Sequence, residues 1–172
     1  MPRRFDDLIA RLAEHDNEAF EIIHSETKKM VFAIIYPLVG DLGLTEDLMQ
    51  DTYIRMLRNL ESFDRRRPFG PWLAQIAKNI AYDHLRHAKR EKLAHEAAWH
   101  IQAPKPEHDI DIDKLIRTLD REKQAIVLMR IVGDMSFKAI ASTLERPLGT
   151  IYSIYKTAIR ELRQKIGKED NS

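Results

Sequence analysis

Side chains able to hydrogen-bond, stack on or neutralise a nucleic acid are concentrated in residues 45–90, TEDLMQDTYIRMLRNLESFDRRRPFGPWLAQIAKNIAYDHLRHAKR. Gln75, Asn79, Tyr82, Arg86 and Arg90 recur at three- and four-residue steps, so on a helix they line up one above another. Amides read base edges, a phenol stacks on a base and guanidinium groups neutralise phosphates, a mixture that suits a nucleic-acid strand. Upstream of them, Phe63, Phe69 and Trp72 surround Arg65, Arg66 and Arg67, so flat apolar faces lie beside cations that can hold an unpaired strand. A third group, Glu46, Asp47, Gln50 and Asp51, falls on one side of a helix, where it either favours the positive end of the helix dipole or meets a charged partner. Each group also has a plainer reading, as a solvated face or, for the aromatics, as core.

Enzyme chemistry finds no comparable support. The chain has no Gly-rich phosphate loop, nucleophile elbow or zinc-protease motif, and zero cysteines exclude disulfides and thiolate metal sites. His84, His87, Glu91 and His95 share a helical face at metal-ligand spacing, but histidine there equally extends a basic helix end. Asp109, Asp111 and Asp113 alternate without the glycine and terminal glutamate of a calcium loop. Neither catalytic residues, nor a cofactor, nor a metal site is expected.

The elements that must position these groups are helices throughout. Phe5, Leu8, Ile9 and Leu12 predict a short first helix. A longer second one, with Asn17 as N-cap, carries Ala19, Phe20, Ile22, Ile23, Met30, Val31, Ile34 and Ile35 on its core side until Pro37 and Gly40 break it. Thr45 is the expected cap of the third, with Met49, Tyr53, Met56, Leu57 and Leu60 inward and Asp47, Gln50, Asp51 and Arg58 outward. A loop over 61–71, stiffened by two prolines, leads to a fourth helix that buries Leu73, Ile76, Ala77, Ile80, Ala81 and Leu85. Periodicity then lapses around Pro104 and Pro106 and an acidic run, predicting a flexible linker over 95–112 between domains at 1–94 and 113–172.

In the second domain Asp120 caps a helix burying Ala125, Ile126, Leu128, Met129 and Val132, ended by Gly133. Ser136 starts a short helix with Phe137, Ile140, Ala141 and Leu144 inward. After a tight turn, Gly149 and Thr150 open a longer one that buries Ile151, Tyr155, Ala158 and Leu162. That leaves Thr150, Tyr152, Ser153, Lys156, Thr157, Arg160 and Arg163 free, as a helix-turn-helix requires of the helix it sets in the major groove. The fold class is therefore all-α.

Two segments carry a family resemblance. The run from Glu46 through Arg55, E-D-L-M-Q-D-T-Y-I-R, with S-F-D-R-R-R-P-F-G-P-W-L-A-Q-I-A-K-N-I-A-Y-D-H-L-R after it, resembles the second conserved region of extracytoplasmic-function (ECF) sigma factors, the small members of the sigma-70 family. The run M-S-F-K-A-I-A-S-T-L-E-R-P-L-G-T-I-Y-S resembles their fourth conserved region, and the two cover roughly residues 5–92 and 113–166. The resemblance implies a transcription initiation factor that binds core RNA polymerase through Glu46, Asp47, Leu48, Gln50 and Asp51. It implies minus-ten recognition and melting by Phe63, Arg65, Arg66, Arg67, Phe69, Trp72, Gln75, Asn79, Tyr82, Arg86 and Arg90. Reading of a minus-thirty-five duplex would fall to Thr150, Tyr152, Ser153, Lys156, Thr157, Arg160 and Arg163. Small sigma factors are commonly held inactive by an anti-sigma factor, often membrane-bound, so such a partner is expected as well. The alternatives are a helix-turn-helix regulator that works without polymerase, and a sigma-like protein-binding regulator that does not initiate.

The sequence departs from that pattern in three places. Glu145 stands at a turn position where the family usually has glycine and a positive φ is convenient, and Tyr152 and Ile154 stand where lysine and arginine are frequent. Fewer early cations predict a weaker ionic grip on the upstream duplex.

Composition agrees with this reading. The 172 residues are 44% apolar, enough for a core, and the net charge of +1 divides into 0 over 1–92, −3 over 93–112 and +4 over 113–172. The start, MPRRFDDLIARL, carries acids where a signal peptide is apolar, and no apolar run reaches the roughly eighteen residues of a membrane span. A cytoplasmic protein without direct membrane insertion is expected.

Overall fold

A computed structural model describes residues 5–94, 116 and 118–169, leaving aside the side chains of 91–94 and 167–169. All regular structure among the described residues is helical: α1 (Asp6–Ala13), α2 (Asn17–Val39), α3 (Leu42–Arg58), α4 (Phe69–Ala94), α5 (Arg121–Ile131), α6 (Phe137–Leu144) and α7 (Leu148–Glu169). The predicted linker and domain boundaries, and Asp109, Asp111 and Asp113, lie outside the described residues.

α2 is the hub. It packs against α1, α3 and α4 and, along its far side, against α5. Val31, Ala33, Ile34 and Ile35 are consecutive enough to cover almost the full circumference and are all completely buried, so this helix is apolar on several faces. Its cap is Asp16 rather than Asn17: the Asp16 carboxylate accepts from the backbone of Glu18 at 2.9 Å and of Ala19 at 3.3 Å. Arg11 donates to the same carboxylate at 2.8 Å, and that hydrogen bond is the main reason the Asp16 carboxyl lies below its usual range. Pro37 does not end the helix, which runs on to Val39; Gly40, at φ 72°, ends it by turning left-handed and donating to the Tyr36 carbonyl at 2.8 Å.

α3 likewise starts earlier than predicted. Asp41, not Thr45, is the cap, accepting from Leu44 N–H at 2.7 Å. Thr45 sits inside the helix, fully buried, with its hydroxyl donating to the Asp41 carbonyl at 2.6 Å. Thr52 does the same to Leu48 at 2.7 Å. With Leu48 and Met56 these threonines form the inward side beside Tyr53, and Leu57 is turned out, 43% exposed, contrary to its predicted inward place. Between α2 and α3 the Tyr53 phenol shares a 2.9 Å hydrogen bond with Thr27, and burial pushes the phenol up to about 12.

The second group of helices is built on α5. Asp120 caps it as predicted, accepting from Lys123 N–H at 2.9 Å, which with the Lys123 ammonium holds the carboxyl below its usual range. Lys123 also reaches Glu161 at 2.9 Å, tying α5 to α7, and Arg146 reaches Glu122 at 3.1 Å, tying the α6–α7 turn to α5. The helix ends at Ile131 with Val132 as C-cap, so Gly133 lies one residue beyond the cap.

The two groups share one hydrophobic core, in which Ala125, Ile126, Leu128, Met129, Ile140 and Ile151 join the buried residues of α1–α4. Gly133 lies in this seam, close to Ala33 and Met30 of α2. A Cβ there would lie 2.9 Å from the Met129 carbonyl oxygen, 3.1 Å from Ala33 Cβ and 3.3 Å from Met30 Cα, with backbone on two of three sides. Gly133→Ala is therefore expected to cost about 1–3 kcal/mol through overpacking, read as a lower midpoint in urea unfolding at unchanged slope. An unchanged midpoint would mean that the seam yields freely.

Candidate nucleic-acid interface

The predicted stripe on α4 is real. Leu73, Ile76, Ala77, Ile80 and Ala81 are buried, whereas Asn79, Tyr82, Arg86 and Arg90 are exposed and Gln75 is half-buried. Gln75 donates to Asn79 at 3.1 Å, which orients both amides along the face. Asp83 lies between Arg86, which hydrogen-bonds it, and Arg55, at 3.7 Å, and so braces α4 against α3. What sequence reasoning missed is Lys78, at the edge of this face, which is only 9% exposed.

The loop before α4 corrects one expectation. Phe63 and Phe69 are buried in an aromatic cluster: Phe63 lies 5.8 Å from Phe69 and 4.6 Å from Trp72, and Phe69 lies 5.1 Å from Phe5. Neither phenylalanine offers a face to a base; both anchor the loop. Trp72 is half-buried and less enclosed than either. The groups left for a strand are the exposed Arg65, Arg66 and Arg67. Asp64 shapes them, accepting from Arg66 N–H at 3.0 Å and its Nε at 2.9 Å, with Arg67 N–H donating to the Asp64 carbonyl at 2.8 Å.

On α3, Glu46, Asp47, Gln50 and Asp51 are exposed together, while Leu48 is buried and supports the face from below. Ile54 and Leu57, 46% and 43% exposed, continue it. A cleft of about 360 Å³ between α3 and α4 runs past Asp51, Ile54, Arg58 and His84, so acidic, apolar and basic groups share one surface. His84 and His87 form no metal-ligand cluster among the described residues; the Glu91 side chain and His95 lie outside them.

The helix-turn-helix is α6 and α7. Ser136 caps α6, accepting from Ala139 N–H at 3.1 Å; Ile140, Ala141 and Ile151 are buried in the main core, and Ala158 is buried with Leu119 and Val127. Glu145 takes the left-handed conformation, φ 54°, that the family's glycine would adopt without strain. Ser153, Lys156, Thr157, Arg160 and Arg163 line one shallow groove of about 850 Å³ along α7, with Thr150 exposed near the helix start. Tyr152 is 51% exposed and packs edge-on to Phe137 at 5.5 Å, while the Lys156 ammonium lies 5.7 Å from its ring. It thus props a cation at the groove instead of replacing one. Ile154 packs inward against the core.

Described residues whose regular structure is all helical, with a polar, cationic α4 face and a helix-turn-helix, define a protein of the DNA-reading class. A model of Sigma-70 region 2 matches residues 23–91, and one of Sigma-70, region 4 matches residues 109–162. The ECF RNA polymerase sigma factor SigW of Bacillus subtilis is 25% identical over 179 residues, 94% of this chain and 94% of the relative. The ECF RNA polymerase sigma factor BldN of Streptomyces coelicolor is 27% identical over 171 residues, 92% of this chain and 64% of the relative. A similar fold occurs in the sigma factor RpoE of Bartonella quintana, solved with the anti-sigma factor NepR, at TM-score 0.68 and 20% identity over 86% of this chain and 96% of that one. The chain belongs to the sigma-70 family, as one of its ECF-type transcription initiation factors.

Proposed function

We propose that residues 1–94 form the module that binds core RNA polymerase and opens the minus-ten element, that 113–172 form the module that reads the minus-thirty-five duplex, and that 95–112 link them. The observation that carries this is the α3–α4 unit. It presents Glu46, Asp47, Gln50 and Asp51 on one helix and the Gln75–Asn79–Tyr82 face on the next, with Asp83 clamped between Arg55 and Arg86. Polymerase docking is assigned to the first face and the minus-ten strand to the second, with Arg65–Arg67 on its backbone. The α7 groove takes the upstream duplex. The chain works in the cytoplasm, contributes no catalysis of its own, and is held inactive by an anti-sigma protein. The solved complex of RpoE with NepR supports that last reading.

Run-off transcription with purified core polymerase on a cognate promoter tests the assignment. Transcript that requires both components is expected. Duplex binding by the chain alone, with no transcript when core is added, would instead support a regulator that works without polymerase.

Within this reading Lys156→Ala and Arg160→Ala each remove one of the few groove cations. A loss of about 3- to 10-fold is expected on duplex promoters, with less on templates already open at the minus-ten element. Tyr152→Lys should steepen the salt dependence of upstream binding by about one unit. Ile154 is left out of that exchange because it is packed inward. Normal transcription by both alanine variants on duplex DNA would remove α7 from the DNA-reading role.

A further inference from the structure

The first turns of α7, the end of a recognition helix that meets base edges, carry no group able to fork onto a base. From Pro147 to Ile159 the chain has no arginine, asparagine, glutamine, aspartate or glutamate. Guanine is read in the major groove by a cationic donor on O6 and N7, and adenine by an amide on N6 and N7. The cations nearest to this end are already engaged: Arg146 with Glu122 at 3.1 Å, and the Lys156 ammonium against the Tyr152 ring at 5.7 Å. Lys156 also stands about 12 Å farther along the axis than Leu148, at 1.5 Å per residue. Thr150 and Ser153 are exposed, but a hydroxyl both donates and accepts and so chooses little between bases.

What this end does offer is apolar. Leu148 and Tyr152 are each 51% exposed, and their four-residue spacing sets them side by side on one face. Tyr152 is held in place, its ring edge-on to Phe137 at 5.5 Å and its face toward Lys156. One exposed leucine is ordinary on any surface. Here two large apolar side chains adjoin each other on the turns that dock, continuous with the groove of Ser153, Lys156, Arg160 and Arg163. The base-edge feature that matches them is the C5 methyl of thymine. Cβ atoms at this spacing lie about 5–6 Å apart against 3.4 Å of rise per base pair, so the two side chains span adjacent base pairs.

We propose that Leu148 and Tyr152 set the base specificity of the upstream contact by packing against the methyls of thymines at two adjacent base pairs, while Lys156, Arg160 and Arg163 hold phosphates. This rests on the assignment of α7 to the upstream duplex and names the bases that it selects. Reading by methyl contact needs no early cation, so the tyrosine at 152 changes the kind of readout as well as the ionic grip.

Deoxyuridine differs from thymidine by that methyl alone, which gives a direct test. Run-off transcription by the full chain with core polymerase, at limiting holoenzyme, is compared on a cognate promoter whose upstream element is built with thymidine or with deoxyuridine. Burying one methyl is worth about 3- to 5-fold in affinity, so a loss of about 10-fold is expected for two. Leu148→Ser and Tyr152→Ser, both at exposed positions, should each shrink the deoxyuridine penalty to about 3- to 5-fold, and the double variant should abolish it. Tyr152→Phe, which keeps the ring, should keep the penalty. Deoxyuridine confined to the minus-ten element should affect the wild-type chain and the double variant equally. A wild-type chain indifferent to upstream deoxyuridine overturns the proposal, and so does a penalty that the double variant retains, which would belong to duplex shape or to another residue. Absence of transcript from every template defeats the sigma-factor reading instead. Competition between the same two upstream duplexes for the chain alone then decides the thymine contact, and no preference for the thymidine duplex overturns it.

Discussion

Reversing the charge of Asp47 and Asp51 to lysine is expected to abolish stable binding to core polymerase while the isolated chain unfolds at an unchanged temperature. Both carboxylates stand exposed on α3, above a buried layer of Thr45, Leu48 and Thr52 that neither substitution touches. Charge-assisted contacts to a partner are each worth about 1–3 kcal/mol, so losing two and introducing two repulsions weakens binding by two or more orders of magnitude. Charge also governs encounter, so the defect should grow as salt is lowered, opposite to the usual salt response of an intact charged interface. A core pull-down with unaltered recovery would move the docking site away from this face, the exposed Ile54 and Leu57 being the next surface to test.

The second large effect belongs to the loop. Replacing Arg65, Arg66 and Arg67 together by serine should leave polymerase binding intact and reduce permanganate-detectable opening of duplex promoters by about 10- to 100-fold, since three cations are lost from the strand backbone. Deleting the loop is a poorer experiment, because Phe63 and Phe69 are part of the aromatic cluster that fastens α4 to the N-terminal Phe5. On a template with an unpaired minus-ten region the triple variant should transcribe nearly normally. If pre-melting does not rescue it, the arginines do something other than hold a separated strand.

Helix faces were legible wherever the buried side is made of aliphatic residues. The α4 stripe and the α6–α7 pair agree with their apolar spacing, as do the caps Asp120 and Ser136. α3 is harder to read, because two of its five buried residues are threonine. Thr45 and Thr52 are buried with their hydroxyls returned to the preceding turn, so they count as core in space though not in hydropathy, and Leu57 was assigned inward in their place. The caps of α2 and α3 were misplaced by one and four residues, since Asp16 and Asp41 compete with the equally cap-prone Asn17 and Thr45. In the site, exposed polar residues were found by spacing alone. Lys78 was not, for its burial depends on a carboxylate 67 residues away, and no local pattern encodes that. Phe63 and Phe69 escape local pattern too, because aromatics beside arginines look alike whether they face a base or one another.

The cluster of Phe5, Phe63, Phe69 and Trp72 also gives the molecule an intrinsic optical sensor. The chain has two tryptophans, and Trp72, 4.6 Å from Phe63 and 5.7 Å from Phe69, is seated where the arginine loop joins α4. An indole that is only half enclosed emits at a wavelength set by how much water reaches it. Any strain on the loop that shifts Phe63 alters that hydration before it alters the helices. With Trp99 changed to phenylalanine, the emission of a single native residue would report the loop's packing in real time, without a label and in the presence of DNA.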